Sequence, residues 1–151
     1  MNTLKVGDKM PEITVNDESG TPINLADYKG KKLIIFFYPK ASTPGCTLEA
    51  CNLRDNYEEL QSRGFELLGV SADSEKRQTN FKKKYKFPYP LLADVDKKVI
   101  NAFGVWGEKK FMGKTYDGIH RKTFVINSEG IIERVIDKVK TKDHAAQILD
   151  T

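Results

Sequence analysis

Apolar runs of strand length alternate along the chain with longer stretches in which apolar residues recur at helical spacing. The clearest run, at residues 33–38, consists of branched and aromatic side chains, which is typical of a strand buried on both faces. Extended segments are predicted at residues 12–15, 33–38, 65–70, 91–93, 123–126 and 131–136, and helices at residues 44–63, 74–85, 95–103 and 142–149.

The order of these segments indicates the class of fold. A strand, a helix and a second strand occupy residues 33–70, which is the βαβ unit of a parallel sheet. Residues 127–130 then join two later strands as an antiparallel hairpin. We therefore predict an α/β protein with a central mixed β-sheet flanked by helices on both faces. Residues 104–118 are polar and Gly-rich, and are predicted to form a mobile or substrate-facing loop.

The amino-acid composition excludes few classes of protein. The 151 residues, 39% of them hydrophobic, suit a single domain over residues 1–151 with one substantial core. No apolar run approaches the roughly 20 residues that span a bilayer, and the first residues lack an apolar signal segment. We therefore expect a cytoplasmic protein that does not contact a membrane. The net charge of +4 is too small to indicate nucleic-acid binding.

Both cysteines lie just after the most apolar strand. Pro39 ends that strand, Thr43 is a suitable N-cap, and Pro44 suits the first position of the following helix. Cys46 is therefore expected in the first helical turn. Unpaired backbone N–H groups and the positive end of the helix dipole meet there, and both favour a thiolate over a thiol. The sequence thus predicts a reactive cysteine.

Other roles for the cysteines remain open at this point. Cys51 falls on an apolar stripe with Leu48 and Leu53, so it could be an ordinary buried cysteine. In a reducing cytosol, however, two nearby cysteines are more often catalytic or metal-binding than a structural disulfide. Zinc binding is disfavoured, because His120 and His144 are far away in sequence and not at zinc-finger spacing. No metal site is predicted.

The five-residue spacing of Cys46 and Cys51 limits how they can react with each other. In an unbroken α-helix, residues five apart have Cα atoms roughly 8.7 Å apart. A disulfide requires less than about 7 Å. A bond between these two cysteines therefore requires the first turns of the helix to unwind.

The segment Pro39-x-x-x-Thr43-x-x-Cys46 resembles the active-site signature of the peroxiredoxins. A longer run around it resembles the bacterioferritin comigratory protein, or Q-type, subgroup. The resemblance extends to residues 104–110, 113–114 and 118–126, and so covers nearly the whole chain. It implies a thioredoxin-like fold and the reduction of peroxides by a thiol, with no metal or organic cofactor.

The resemblance also assigns roles to particular residues. It implies that Cys46 is the peroxidatic cysteine, that Thr43 and Arg121 complete its pocket, and that Pro44 shields it. Arg121 would stabilise the thiolate and donate to a peroxide oxygen, while the Thr43 hydroxyl would hydrogen-bond the peroxide. The backbone N–H groups of Gly45 and Cys46 would bind the substrate as additional donors.

A catalytic cycle follows from these roles. The Cys46 thiolate would attack hydrogen peroxide or an organic hydroperoxide and become a sulfenic acid. Cys51 would then condense with it to form an intramolecular disulfide, which thioredoxin or a similar dithiol protein would reduce. The subgroup resemblance also implies a monomer.

Without the resemblance, the residues allow blander interpretations. From spacing alone, Arg121 would be a surface strand residue paired with a carboxylate, and Thr43 a plain helix cap. Two other classes of protein remain open: a dithiol oxidoreductase that acts on protein disulfides, and a non-catalytic binding module with structural cysteines. The former would not need the Thr43 and Arg121 pocket.

The polar segment 104–118 includes the apolar residues Phe111, Met112 and Tyr116. They could line an apolar mouth for organic hydroperoxides, or simply form a lid over the core. His120 is predicted to be a strand-edge residue.

Overall fold

The structure is a computed structural model, and it describes residues 1–150. A short 3₁₀ turn at Leu25–Tyr28 accompanies the strands and helices. In chain order these are β1 (Thr14–Asn16), β2 (Pro22–Asn24), β3 (Lys32–Phe37), α1 (Pro44–Asp55), α2 (Tyr57–Ser62), β4 (Phe65–Ser71), α3 (Glu75–Tyr85), β5 (Leu91–Ala93), α4 (Lys98–Phe103), β6 (Trp106–Phe111), β7 (Lys114–Ile119), β8 (Lys122–Ile126), β9 (Ile132–Ile136) and α5 (His144–Leu149).

A five-stranded sheet with the order β5-β4-β3-β8-β9 forms the centre of the molecule. Strand β3 is parallel to β4, which is parallel to β5. On its other side, β3 is antiparallel to β8, which forms a hairpin with β9. The prediction of a mixed sheet is therefore confirmed.

Strand β3 and the residue after it separate two cores, because successive side chains point to opposite faces of a sheet. The odd-numbered residues of 33–37 enter a core that α4 covers. The even-numbered residues of 34–38 enter a second core, to which α1, α2, α3 and α5 contribute; we call it the helical core. All six side chains are fully buried. Helices thus lie on both faces, as predicted, and α1 packs on the helical core.

The helix predicted at residues 44–63 is divided in two. Helix α1 ends at Asp55, and Asn56 leaves the helical conformation with φ of −111° and ψ of 13°. The Asn56 side chain donates to the Asn52 carbonyl at 2.8 Å. An asparagine side chain that bonds the backbone carbonyl four residues earlier competes with the hydrogen bonds of the helix, which explains the break.

Residues 104–118 are largely a hairpin, so the prediction of a loop was wrong, while their predicted mobile or substrate-facing character stays a prediction. Strands β6 and β7 pair from Trp106 with Ile119 to Phe111 with Lys114. The turn between them is Met112-Gly113, and both residues have positive φ, 50° and 78°. Such turns match the twist of the two strands, but methionine is an unusual residue in them, and the strands are mostly exposed. The usual sequence signals are therefore missing.

Candidate active site

Cys46 lies in the first turn of α1, where the sequence predicts it. The helix begins at Pro44, and Thr43 before it has the extended backbone of an N-cap residue, with φ of −80° and ψ of 154°. In this turn the N–H groups of Gly45 and Cys46 precede the first intrahelical bond, from the Thr47 N–H to the Thr43 carbonyl. The thiol itself is 1% exposed. It lies at the helix N-terminus, at the edge of the helical core.

Arg121 lies between β7 and β8 and reaches Cys46. Its Nη2 donates to Cys46 Sγ at 3.3 Å, and its Nη1 donates to Glu49 Oε1 at 2.6 Å. One guanidinium therefore bridges the thiol and a buried carboxyl. Gly45 leaves room for this contact, because a Cβ added there would lie 3.3 Å from Nη2. Arg121 does pair with a carboxylate, as spacing alone suggested, but its side chain is only 23% exposed and also contacts Cys46.

Glu49 is a site residue that the sequence analysis did not single out. It lies one turn after Cys46 on α1, and its side chain is fully buried. Burial raises the pKa of Glu49 to about 7, although the charge of Arg121 acts in the opposite direction. The available signal was the spacing of three residues from Cys46, which places both side chains on one helix face.

His144, on α5, lies behind Glu49. Its Nε2 is 3.5 Å from Glu49 Oε2 and 2.7 Å from Thr123 Oγ1. Burial lowers the pKa of His144, which favours the neutral ring. The sequence analysis treated His144 as remote from the cysteines, but α5 packs directly on α1. Within residues 1–150, no group of three or more potential ligands is placed to hold a metal ion.

Thr43 does not act as a plain helix cap. Its hydroxyl donates to the Lys40 carbonyl at 2.7 Å, and it accepts no hydrogen bond from the helix N–H groups. The hydroxyl proton is thereby committed, and the oxygen lone pairs remain as acceptors. Pro44 is exposed, next to the buried thiol in the same helical turn.

Cys51 has a different environment from Cys46. Both thiols are free, and Cys51 is half-buried against the helical core. Burial raises the pKa of Cys51, and the nearby charge of Arg54 only partly opposes this. Leu48, predicted on the buried stripe, is 45% exposed instead. The buried residues of α1 are Cys46, Glu49, Ala50 and Leu53.

Helix α1 is held in its helical form by contacts beyond the cysteines. Asn52 Oδ1 accepts from the Ala145 N–H at 2.7 Å, and Asn52 Nδ2 donates to the Lys142 carbonyl at 3.1 Å. On another side, the Tyr89 hydroxyl donates to the Ala50 carbonyl at 2.7 Å. We call the two bonds of Asn52 the α5 clasp. The clasp holds the turn that contains Cys51.

A groove runs beside the β6–β7 hairpin. Tyr116 lines it, as the predicted apolar mouth requires, whereas Phe111 and Met112 lie at the hairpin tip with 66% and 86% exposure and do not. Other lining residues are Pro39, Lys40, Trp106, Lys109 and Ile119. His120 Nε2 lies 3.1 Å from the Glu108 carbonyl, at the edge of the hairpin. No helix of residues 1–150 has the length and apolar character needed to cross a bilayer.

A thiol at a helix N-terminus, beside a guanidinium and on a thioredoxin-like scaffold, defines a thiol peroxidase. The model of the AhpC/TSA family matches residues 6–135. The chain therefore belongs to the AhpC/TSA family, that is, to the peroxiredoxins.

The relatives narrow this to one subgroup. Peroxiredoxin Bcp of Escherichia coli K12 is 48% identical over 150 residues, which are 99% of this chain and 96% of that protein. Peroxiredoxin Bcp of Bacillus subtilis is 44% identical over 149 residues, 99% of this chain and 95% of the relative. The predicted relationship to the bacterioferritin comigratory protein, or Q-type, peroxiredoxins is confirmed.

Solved structures confirm the thioredoxin-like fold. The bacterioferritin comigratory protein of Xanthomonas campestris, studied for its alkyl peroxide reduction, superposes with a TM-score of 0.88 at 37% identity, over 97% of this chain and 93% of the other. A mutant PrxQ of Xylella fastidiosa gives a TM-score of 0.92 at 30% identity, over 99% and 96%. The protein is thus a thiol-dependent peroxidase that uses a peroxide and a thiol reductant.

Proposed function

We propose that Cys46 is the peroxidatic cysteine, and that it reduces hydrogen peroxide and organic hydroperoxides. The observation that carries this proposal is the 3.3 Å contact between Arg121 Nη2 and Cys46 Sγ at the first turn of α1. A positive charge and two free backbone donors stabilise a thiolate there, and the thiolate is the nucleophile. The alkyl peroxide reduction described for the Xanthomonas protein supports the second substrate class.

The first step transfers one oxygen atom. The Cys46 thiolate attacks the terminal peroxide oxygen, the O–O bond breaks, and a proton joins the leaving oxygen to give water or an alcohol. Arg121 and the N–H groups of Gly45 and Cys46 are placed to stabilise the negative charge that develops on the oxygens. The Thr43 hydroxyl donates its own proton to the Lys40 carbonyl, so its oxygen is placed to accept from the peroxide O–H. Pro44 shields the reacting thiol from water.

The second step joins the two cysteines. Cys51 attacks the sulfenic sulfur of Cys46, water leaves, and an intramolecular disulfide forms. The helix must unwind first, because residues five apart in α1 have Cα atoms about 8.7 Å apart. The α5 clasp must also open, since Asn52 is bonded to residues 142 and 145. Thioredoxin or a similar dithiol protein then reduces the disulfide by exchange.

The other expected properties of the enzyme are proposals of the same kind. We take residues 1–151 as one domain that works as a cytoplasmic monomer, without a cofactor and without binding nucleic acid or a membrane. The net charge of +4 and the mixed surface charges agree with this. Size-exclusion chromatography with light scattering would test the monomer.

Stopped-flow mixing of the reduced protein with one equivalent of hydrogen peroxide tests the cycle. Trp106 lines the groove beside the site and supplies a fluorescence signal. We expect a fast reaction that removes both thiols and is absent from Cys46→Ser. A slow reaction, or one unaffected by the substitution, would contradict the peroxidatic role of Cys46. Unchanged amide exchange over residues 46–53 after oxidation would contradict the unwinding.

A further inference from the structure

A buried oxygen without a partner lies directly behind the contact between Arg121 and Cys46. Glu49 Oε1 accepts from Arg121, but Glu49 Oε2 has no hydrogen-bond partner among residues 1–150. His144 Nε2 is 3.5 Å from that oxygen. Buried polar atoms are nearly always hydrogen-bonded, so an isolated one calls for an explanation.

The hydrogen bonds of His144 show which ring nitrogen carries its proton. Gln147 Nε2 donates to the Lys138 carbonyl, and Gln147 Oε1 accepts from the Lys140 N–H, which fixes the orientation of the amide. Because Oε1 can only accept, His144 Nδ1, 2.8 Å away, is the donor to it. In the neutral ring, Nε2 therefore has a lone pair and no proton.

This lone pair faces both Thr123 Oγ1 and Glu49 Oε2. The Thr123 hydroxyl donates to this lone pair at 2.7 Å, so His144 Nε2 has no proton to offer Glu49 Oε2. A carboxylate oxygen that is buried without any donor carries a high desolvation cost, which protonation removes. We propose that Glu49 holds one buried proton, on Oε2 beside His144, and that this proton releases Arg121 from Glu49 to act on Cys46. This inference rests on the proposed role of Cys46 as peroxidatic thiol.

The charges in the site explain why the proton matters. A thiolate at Cys46 and a carboxylate at Glu49 would share the single positive charge of Arg121. With the proton present, the Glu49–His144 pair carries no net negative charge, and the guanidinium serves the thiolate and the peroxide. When the proton leaves, the carboxylate draws Arg121 towards itself and adds a negative charge beside the thiolate. The reaction with peroxide should then slow.

The remaining titratable groups around the pair do not take this proton. Arg134 on β9 faces α5, donates to its carbonyls and stays protonated. Its charge, with that of Arg121, lowers the pKa of His144 further, although burial is the larger cause. Tyr89 lies near Glu49, and burial raises its pKa far above neutral. The proton is therefore held chiefly by Glu49 and is lost near neutral pH.

Nuclear magnetic resonance of the two histidine rings tests the proton directly. Substituting His120→Gln removes the only other histidine and assigns the remaining signals to His144. We expect His144 to be protonated at Nδ1 and its Nε2 signal to shift near neutral pH, and we expect that shift to vanish in Glu49→Gln. A proton on Nε2 of the neutral ring, or a shift that persists in Glu49→Gln, would overturn the proposal.

Single-turnover rates with hydrogen peroxide test the effect on Arg121. From about pH 6 to about pH 8.5, the rate constant of the native protein should fall about tenfold relative to that of Glu49→Gln. Glu59→Gln, which removes an exposed carboxylate paired with Arg63, is the matched control and should follow the native profile.

The two measurements separate the two proposals. A native profile that matches Glu49→Gln would overturn the effect of the proton on Arg121. A reaction that is slow at every pH, with the histidine signals as expected, would overturn the peroxidatic role of Cys46 and support the buried proton on Glu49.

Discussion

Cys46 and Cys51 lie five residues apart on one helix, yet their surroundings differ in every respect that governs thiol chemistry. Cys46 is 1% exposed, lies in the first turn of α1 and touches a guanidinium. Cys51 is half-buried in the middle of α1, and burial raises its pKa. This difference is the basis of the proposed roles, in which Cys46 is the nucleophile and Cys51 reacts only after the helix opens.

Removing the Cys46 thiol should have the largest effect on the reaction with peroxide. Cys46→Ser should lower the rate of reaction with hydrogen peroxide by more than about a thousandfold, because no other group in the pocket can attack the peroxide. Cys51→Ser is the matched control, and it should keep the first step within about twofold while losing turnover with thioredoxin. If both variants lost the reaction with peroxide to the same extent, the two cysteines would not differ in role.

Removing the guanidinium should have the next largest effect. Arg121→Met should slow the reaction with peroxide by about a hundredfold to a thousandfold, as expected for loss of a donor that stabilises developing charge. The rate at which Arg121→Met exchanges with a small disulfide should differ little from that of the native protein. Arg63→Met, at an exposed ion pair, is the control and should match the native rate. A peroxide rate that survives Arg121→Met would mean that the guanidinium does not stabilise the charge that develops on the peroxide.

The buried carboxyl makes stability depend on pH. Because the pKa of Glu49 is raised from 4.5 to about 7 in the folded protein, its contribution is full below pH 4.5 and is lost as the pH rises through 7. The free energy of unfolding of Glu49→Gln, measured relative to that of the native protein, should therefore rise by about 3 kcal/mol from pH 4.5 to pH 7. Urea unfolding at both ends of that range checks this. A constant difference between the two proteins would mean that Glu49 titrates normally.

Breaking the α5 clasp should have the smallest effect, and that effect should be confined to the reaction of Cys51. Asn52→Ala removes two hydrogen bonds and should lower the free energy of unfolding by about 2 kcal/mol. The disulfide between Cys46 and Cys51 should then form faster after oxidation, since the helix opens more readily. Asn56→Ala loses a bond within α1 that does not reach α5 and should not speed this step. Equal rates in both variants would mean that the clasp does not limit unwinding.

Much of the fold was predictable because its signals are local. The strand predicted at residues 33–38 lies at 32–37, and Pro44 and Cys46 lie in the first turn of α1 as predicted, because neighbouring residues determine each of these features. Thr43 occupies the N-cap position, although its side chain does not cap the helix. The β6–β7 hairpin was not predictable in this way. Its strands are mostly exposed, and its turn places Met112 at positive φ, so neither alternation nor turn chemistry indicated it.

The site was predictable only in part, because its members are far apart in sequence. The resemblance placed Arg121 near Cys46, whereas spacing alone could not. Glu49 went unnoticed because a glutamate in a helix is normally exposed, and nothing local shows that α5 will cover it. His144 was set aside for the same reason. Contacts between distant segments, not residue types, decide which polar groups are buried together.

The long sequence separation of these contacts also bears on when the enzyme becomes reactive. Arg121 meets Cys46 across 75 residues, and Asn52 meets Ala145 across 93. Loops of that length close late, after local helices and hairpins have formed. Until those contacts form, Cys46 lacks the guanidinium that activates it in the proposed mechanism. The sensitivity of this thiol to peroxide therefore depends on completed folding of the whole chain and not on helix α1 alone.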